Sequence, residues 1–441
     1  MVLFSEEAYE LEMQELHVQR FIKEMRRVDR EQGALLEKEG WTYKETAERR
    51  VMFTFGEVLL VRRCYTKNGK RRYPVDEYLD LLPYSRYSKG LLYKMASTAV
   101  DLTCRKAAAH FKELLHLDIS KDAVHKARKM VTQLYKEREE YRFFEEEEFM
   151  NKKEIDILYI EGDGLIISTP EFMNDKKKTD FAHFLIHEGI EKEYGMRGKT
   201  VNKHEIWSSS NKKAREEVLD YLHNHYEIRK DTLLITNSDM GHGYTPYVFE
   251  EIAKAFSCKH EHFWDRYHLN KEISMMMKPF PDSFEKALFQ AITDHNKREA
   301  REVLTQVEQL IPEEEVEFLE KFSKFSRKLL RNFSYTQTPE MRGLSPIVLG
   351  IMESNHTKMS YRMKKQGRYW SVEGALTMGR MIIDKMEGRL YDLFFGEWRE
   401  KYAKYKSIEQ LSVQQFLRKS YIPPEIRRVK QANKSGRRRY Y

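Results

Sequence analysis

The order of apolar runs and helical periodicities between residues 155 and 266 constrains the fold of this chain more than any other feature. A strand-like run, Ile155-Asp156-Ile157-Leu158-Tyr159-Ile160-Glu161-Gly162-Asp163, precedes a second at about 181–189 and a third near 200–208. Helical spacing follows in Ala214, Val218, Leu219 and Leu222, and then a fourth apolar run, Leu233-Leu234-Ile235-Thr236-Asn237-Ser238-Asp239. Another helical stretch (Val248, Ile252, Ala253, Phe256) leads to a fifth strand at about 260–266. Period and run length separate the two element types. Three strands in a meander, then helix-strand-helix-strand, predict a mixed α/β layer. In that layer the first strand is central and the fourth lies beside it, so Asp163 and Asp239 become spatial neighbours.

This is the element order of a ribonuclease H-like sheet. Each of the two apolar runs delivers an aspartate at its end, and a third acid, Glu353, stands in Met352-Glu353-Ser354-Asn355-His356. A single strand-edge acid is ordinarily a turn former or a cap. Three acids converging at one sheet edge suit hard divalent cations, which perform phosphodiester chemistry. Glu373, in Val372-Glu373-Gly374, competes with Glu353 for the third place. Between about 271 and 342 the sequence is charged and helical, with Leu288, Ile292, Val303, Val307, Leu310, Phe318, Phe322 and Leu329 recurring. It reads as an all-helical insertion within the sheet domain.

The N-terminal third has another character. Residues 5–39 are helical in spacing, 51–65 are rich in β-formers, and Asn68-Gly69 supplies the positive-φ pair of a hairpin. From Lys89 to Tyr141 the pattern is helical again. One helix runs from Lys106 to Leu115, His116–Ile119 form a turn, and Ser120 caps the next helix. That helix has an apolar stripe (Val124, Ala127, Val131, Leu134) and cations on another face: Lys121, His125, Arg128 and Lys129. The arrangement suits a helix-turn-helix entering a major groove. A plain helical hairpin with a solvated basic face has the same pattern. The expected organisation is an α+β and helical DNA-binding region at 1–150 and a first core part at 151–270. The helical insertion at 271–342, a last core part at 343–425 and a basic tail at 426–441 follow, with the Glu145–Glu148 run at the first boundary.

Composition bounds the alternatives. With 441 residues, 41% hydrophobic and 34% charged, the chain is long enough for two or three folded domains. It has no apolar run of membrane-spanning length. Met1 to Arg20 is acidic and amphipathic, unlike a signal peptide. Cys64, Cys104 and Cys258 are far apart and read as reduced thiols rather than a zinc site. The net charge is +8, and most of it comes from seven cations between Arg427 and Tyr441. Local clustering therefore says more about nucleic acid than the overall balance does.

The chain resembles the ISLre-type DDE transposases of bacterial insertion sequences, long catalogued as an uncharacterised conserved family. The resemblance rests on Gly162-Asp163-Gly164, His187-Glu188-Gly189, the aspartate after Leu234-Ile235, and Asp265-Arg266-Tyr267-His268-Leu269. Its most specific block runs from Glu353-Ser354-Asn355-His356 through Arg362-Met363-Lys364 and Gly367–Trp370-Ser371 to Gly374-Ala375. Around the second acid, Ser238-Asp239-Met240-Gly241 departs from the Gly-Asp-Gly-Ala often found in such sequences.

The resemblance implies cleavage at transposon ends and transfer of the 3′-hydroxyl to target DNA; another ribonuclease H-like Mg-dependent nuclease and a domesticated, non-catalytic DNA-binding regulator are the alternatives. It implies two Mg²⁺ ions, with Mn²⁺ as a substitute, held by Asp163, Asp239 and Glu353. A homodimer on paired ends, in the bacterial cytoplasm at the nucleoid, is expected by analogy. Lys358, Arg362, Lys364 and Lys365 are candidates for backbone phosphates. Trp370 is a candidate for stacking on a frayed base, with core packing as its plainer reading. His268 can touch the scissile phosphate or cap the fifth strand.

Overall fold

The computed structural model describes residues 4–145, 152–170, 178–191, 198–344, 347 and 349–408. It forms two compact units: the described residues up to Arg142 together with those from Thr377 onward, and those between Phe143 and Leu376.

In the first unit, α1 (Glu6–Lys38) is started by Ser5, whose hydroxyl accepts from the Ala8 N–H. It packs Met25 and Val28 onto a sheet of β1 (Thr42–Phe53), β2 (Gly56–Lys67) and β3 (Lys70–Arg72). The turn at Asn68-Gly69 forms as expected, with φ of +50° and +75°. The β-rich 51–65 run is shared by β1 and β2. Phe53 pairs with Gly56 across a two-residue turn, and Gly56 has φ +135°, a conformation that disfavours side chains. The chain continues through α2 (Pro74–Tyr78), α3 (Lys89–Asp101), α4 (Cys104–Leu115) and α5 (Lys121–Glu145). His116, in the left-handed region, ends α4, and the Ser120 hydroxyl accepts from the Ala123 N–H at the start of α5. Val124, Ala127, Val131 and Leu134 are buried, as their spacing requires.

The second unit has a five-stranded mixed sheet. Along the chain come β4 (Lys153–Glu154), β5 (Ile157–Ser168), β6 (Lys178–His187), β7 (Ile190–Glu191), β8 (Lys199–Thr200) and β9 (His204–Ser208). They are followed by α6 (Asn211–His225), β10 (Tyr226–Glu227), β11 (Leu233–Ser238), α7 (Pro246–Phe256) and β12 (Lys259–Trp264). The sheet order is β12-β11-β5-β6-β9, with β5, β6 and β9 antiparallel and β11 and β12 parallel to β5 and to each other. The first strand is therefore central, with the fourth beside it.

Alternation divides β5 between the two faces of the sheet. Leu158 and Ile160 join Phe184, Ile206, Val218, Leu222, Phe249 and Ile252 in the core under α6 and α7. A fully buried leucine or phenylalanine of this kind contributes about 1.5–3 kcal/mol. The opposite face carries Tyr159, Glu161 and Asp163. The first strand also runs past the point its apolar pattern suggests. Its ladder with β11 stops at Gly162–Ser238, while pairing with β6 continues to Ser168. Asp163 is therefore an interior residue of β5, level with the place where its parallel neighbour has ended.

After β12 come α8 (Arg266–Met277), α9 (Asp282–Thr293), α10 (Lys297–Gln309) and α11 (Val316–Arg331), which share a core of Leu288, Val303, Leu304, Phe322 and Leu329. Then come α12 (Met352–Met363), α13 (Val372–Met386), α14 (Leu390–Phe395) and α15 (Trp398–Ile408). The segment expected as the last core part, 343–425, is divided: its described residues from Thr377 belong to the first unit. There the Tyr135 hydroxyl donates to Asp384 at 2.7 Å, and Tyr141 packs on Trp398. The basic tail and most of the Glu145–Glu148 run lie outside the described residues.

The sheet is tight where Gly162 crosses it. A Cβ there would meet both the Phe184 and Tyr244 rings at 2.9 Å. Gly162→Ala is expected to cost about 1–3 kcal/mol through overpacking. Denaturant unfolding would register this as a lower midpoint at unchanged slope, and an unchanged midpoint would show that the rings yield freely.

Candidate functional site

Four acids reach one end of the mixed sheet. Asp163 is 8% exposed, and its Oδ1 accepts from the Gly164 N–H at 2.6 Å. Asp239 follows β11 directly, one residue beyond the Ser238–Gly162 register pair, and is held by the Gly241 N–H at 2.7 Å. Glu353 stands exposed in the first turn of α12. Asp180, on β6, comes close because residue 164 is glycine: a Cβ there would lie 2.6 Å from an Asp180 oxygen.

Burial, then the nearby Asp239 charge, pushes the Asp163 carboxyl up to about 7. Burial and Asp239 likewise raise Asp180. No lysine or arginine among the described residues forms an ion pair with Asp163, Asp239 or Glu353. A group of carboxylates that the protein's own cations leave uncompensated is the donor set a hard divalent ion requires.

Histidines complete the site. Asp265 caps α8, and its Oδ1 accepts from both the His268 backbone N–H at 2.9 Å and the His268 ring Nδ1 at 3.0 Å. Nε2 of the same ring is then directed to Asp163 Oδ2, 3.9 Å away. The bond to Asp265 raises His268 above the usual imidazole range. Burial alone would raise Asp265, but its bonds to His268 outweigh burial and leave it lowered. Ligand atoms of Asp163, His268 and Glu353 all lie within 4.8 Å of one another. Of the three acids expected from sequence, the structure thus groups Asp163 and Glu353 most closely, with His268 in the group and Asp239 alongside. Glu373 begins α13 and is not in that group.

Behind these residues a buried polar layer orients them. Glu161, two residues before Asp163 and on the same face, is fully buried. Its two oxygens accept from the Gly350 and Met352 N–H groups at 3.0 Å each, at the entry to α12. A carboxylate is favoured there because unpaired N–H groups and the helix dipole converge. His356, one turn after Glu353, places Nδ1 3.3 Å from Asp163 Oδ2, while its buried Nε2 has no hydrogen-bond partner among the described residues. Burial drives this ring down to about 3, so it is neutral at physiological pH. It stacks at 5.0 Å on His183, the residue opposite Asp163 on β6. His183, lowered by burial, donates from Nε2 to Glu205 at 2.9 Å. Burial opposes ionisation of Glu205, but His183, Lys358 and Lys203 together hold it well below the usual carboxylate range.

This layer corrects the phosphate reading of Lys358 and Arg362 and accords with the core-packing reading of Trp370. Lys358 is mostly buried and pairs with Glu205. Arg362 is buried with its guanidinium 5.3 Å from the Trp370 ring centre. Trp370 is buried and donates from Nε1 to the Met363 carbonyl at 3.3 Å. Helical spacing beside Lys364 and Lys365 could not separate these inward side chains from outward ones. Lys364 and Lys365 are exposed. In the first unit Lys121, His125 and Lys129 are exposed, whereas Arg128 is half-buried with its guanidinium 3.2 Å from His125 Nδ1. Sequence reading passed over Glu161, Asp265 and His356 as site-forming residues. Two signals were present: Glu161 shares the period-two face of Asp163, and Asp265 precedes a helix as a capping acid.

A protein-family model described as "Uncharacterised protein family (UPF0236)" matches residues 6–402. A Streptococcus gallolyticus protein named "UPF0236 protein in vanSb 3'region" is 29% identical over 81% of this chain and 76% of its own length. A UPF0236 protein of Caldanaerobacter subterraneus subsp. tengcongensis, whose name joins eleven locus designations, is 24% identical over 94% of this chain and 81% of its own. Among solved structures, the Drosophila P element transposase strand transfer complex aligns with 79% of this chain and 91% of that one, at 9% identity and a TM-score of 0.23. That score is too low to carry a fold assignment.

The raised Asp163 has a consequence for stability. Its folded pKa, about 7, lies above the ordinary carboxylate value, so the folded state holds a proton that the unfolded chain releases. Without a cation, stability therefore falls as pH rises from about 4 to 7. Asp163→Asn is expected to remove this loss. The variant should be more stable than the parent at pH 8, by on the order of a few kcal/mol, with the difference vanishing near pH 4. Thermal melts across that range would check it, and parallel pH profiles would count against it.

Proposed function

The chain belongs to the uncharacterised protein family UPF0236, and on that premise we propose that it is a DDE transposase with a ribonuclease H-like core. It would cut DNA at the ends of an insertion sequence and transfer the exposed 3′-hydroxyl to target DNA. The observation that carries this reading is Asp163 at one sheet end, with Glu353 close enough to share an ion, Asp239 beside it, and no lysine or arginine among the described residues paired to the three. The strand order β12-β11-β5-β6-β9, with a helical insertion before the third acid, supports the core assignment. A relative whose name joins eleven locus designations is what a self-copying element leaves behind.

Asp163, Asp239 and Glu353 are the residues that would hold two Mg²⁺ ions, or Mn²⁺ in their place. Such ions, when bound, supply Lewis-acid stabilisation of the leaving oxygen and a deprotonated nucleophile at neutral pH. The chain's part is placement. Glu161 keeps the start of α12, and hence Glu353, against the sheet. Neutral His356 lies against one Asp163 oxygen without adding a charge that would repel a cation. Hydrolysis and strand transfer need only a change of nucleophile, from water to a DNA 3′-hydroxyl.

Lys364 and Lys365, after α12, are suited to backbone phosphates, which position DNA without reading it. In the first unit α4 and α5 provide a helix-turn-helix whose exposed Lys121, His125 and Lys129 would face DNA. Assembly as a dimer on paired ends, acting on cytoplasmic DNA, belongs to the same reading. Among the described residues no helix is long and apolar enough to cross a membrane.

The test is purified protein with Mg²⁺ on DNA carrying the element's own ends, scored for nicks and joined products. Asp163→Ala and Glu353→Gln should each reduce both products by more than about a hundredfold while DNA binding persists. Cutting that is unaffected by Asp163→Ala would remove the assignment.

A further inference from the structure

The arrangement around His268 goes beyond three carboxylates. Its Nδ1 and its backbone N–H both bond to one Asp265 oxygen, at 3.0 and 2.9 Å, so the ring cannot turn without losing its bond to the carboxylate that caps its helix. When that Nδ1 carries the proton, the lone pair belongs to Nε2, the atom facing Asp163 at 3.9 Å. A separation of 3.9 Å exceeds a good hydrogen bond, yet it suits two ligand atoms that share one ion. A carboxylate that fixes the distal nitrogen of an imidazole is the usual outer partner of a metal-bound histidine. On the other side of Asp163, the buried His356 ring has a nitrogen with no partner among the described residues. Asp163 is thus flanked by two imidazoles, of which His268 is the more open, its side chain 29% exposed.

We propose that His268 is itself a metal ligand, so that one cation position is formed by Asp163, Glu353 and His268 and favours Mn²⁺ over Mg²⁺. The inference rests on the proposed function only in taking the acid cluster as a cation site. Imidazole nitrogen suits first-row transition ions, among which Mn²⁺ also takes the carboxylate and water ligands offered here, whereas magnesium keeps to oxygen and to strict octahedral geometry. Asp239 then serves the neighbouring position, which remains all-oxygen. Asp265 is a positioning residue: it aims the ring and sets its tautomer.

The measurement is electron spin echo spectroscopy of Mn²⁺ bound to the full-length protein after chelation of adventitious metal. Calorimetric titration with Mn²⁺ and with Mg²⁺ accompanies it. The expected result is ¹⁴N modulation from a coordinated imidazole in the parent protein, absent in His268→Gln. That variant should still bind Mn²⁺, but about ten- to a hundredfold more weakly, with a much smaller change for Mg²⁺. Asp265→Asn should weaken Mn²⁺ binding in the same direction, and circular dichroism would verify that both variants fold. Mn²⁺ bound without nitrogen modulation, yet lost in Asp163→Asn, would overturn the role of His268 and leave the acid site standing. No Mn²⁺ binding, or binding indifferent to Asp163→Asn, would overturn both.

Discussion

A buried glutamate is the constraint on which the second unit turns. Glu161 lies on the central strand with no exposure, and both its oxygens are taken by backbone N–H groups where α12 begins. A carboxyl group in that position has no aqueous alternative, so losing either bond would leave a buried polar atom unsatisfied. The helix is thereby fixed against the polar face of the sheet. Everything that α12 contributes follows from its anchored first turn: Glu353 at the cluster, His356 against Asp163, and Lys358 in the ion pairs of Glu205.

The two charged groups behind and within the site are treated in opposite ways. Glu205 is surrounded by Lys203, Lys358 and His183, and its negative charge is cancelled inside the fold. Asp163, one strand away from His183, is paired among the described residues with two imidazoles, one of them neutral, and feels the charge of Asp239. Two carboxylates of similar burial therefore end on opposite sides of their ordinary titration range, Glu205 low and Asp163 high. The contrast follows from what each acid faces: cations around Glu205, and a like charge beside Asp163.

Much of the architecture could be read along the chain, because it depends on local period and turn chemistry. The strands and helices between 155 and 266 follow the expected order, and the α4–turn–α5 boundaries fall within two residues of their signals at His116 and Ser120. The β-rich 51–65 stretch falls in two strands of a small sheet, joined by a two-residue turn at Thr54-Phe55. The pattern misleads where it has two meanings. Lys358 and Arg362 look like a continuous basic face with Lys364 and Lys365, but burial against Glu205 and Trp370 claims the first two. Spacing records which residues share a helix face and says nothing of what covers that face.

The sequence alone determined the kinds of elements, their order, and the acids that strand runs and helix starts can present. Those depend on side-chain period, capping residues and glycine turns, all encoded within a few neighbouring positions. Only the tertiary structure decided that β5 outruns β11 beside Asp163, that Glu161 anchors α12, and that His268 stands closer in the cluster than Asp239 does. It also decided that the helices after Thr377 join the first unit. These outcomes depend on ladder register and on burial between segments far apart in sequence, where one buried polar group selects its partners by the cost of being left alone.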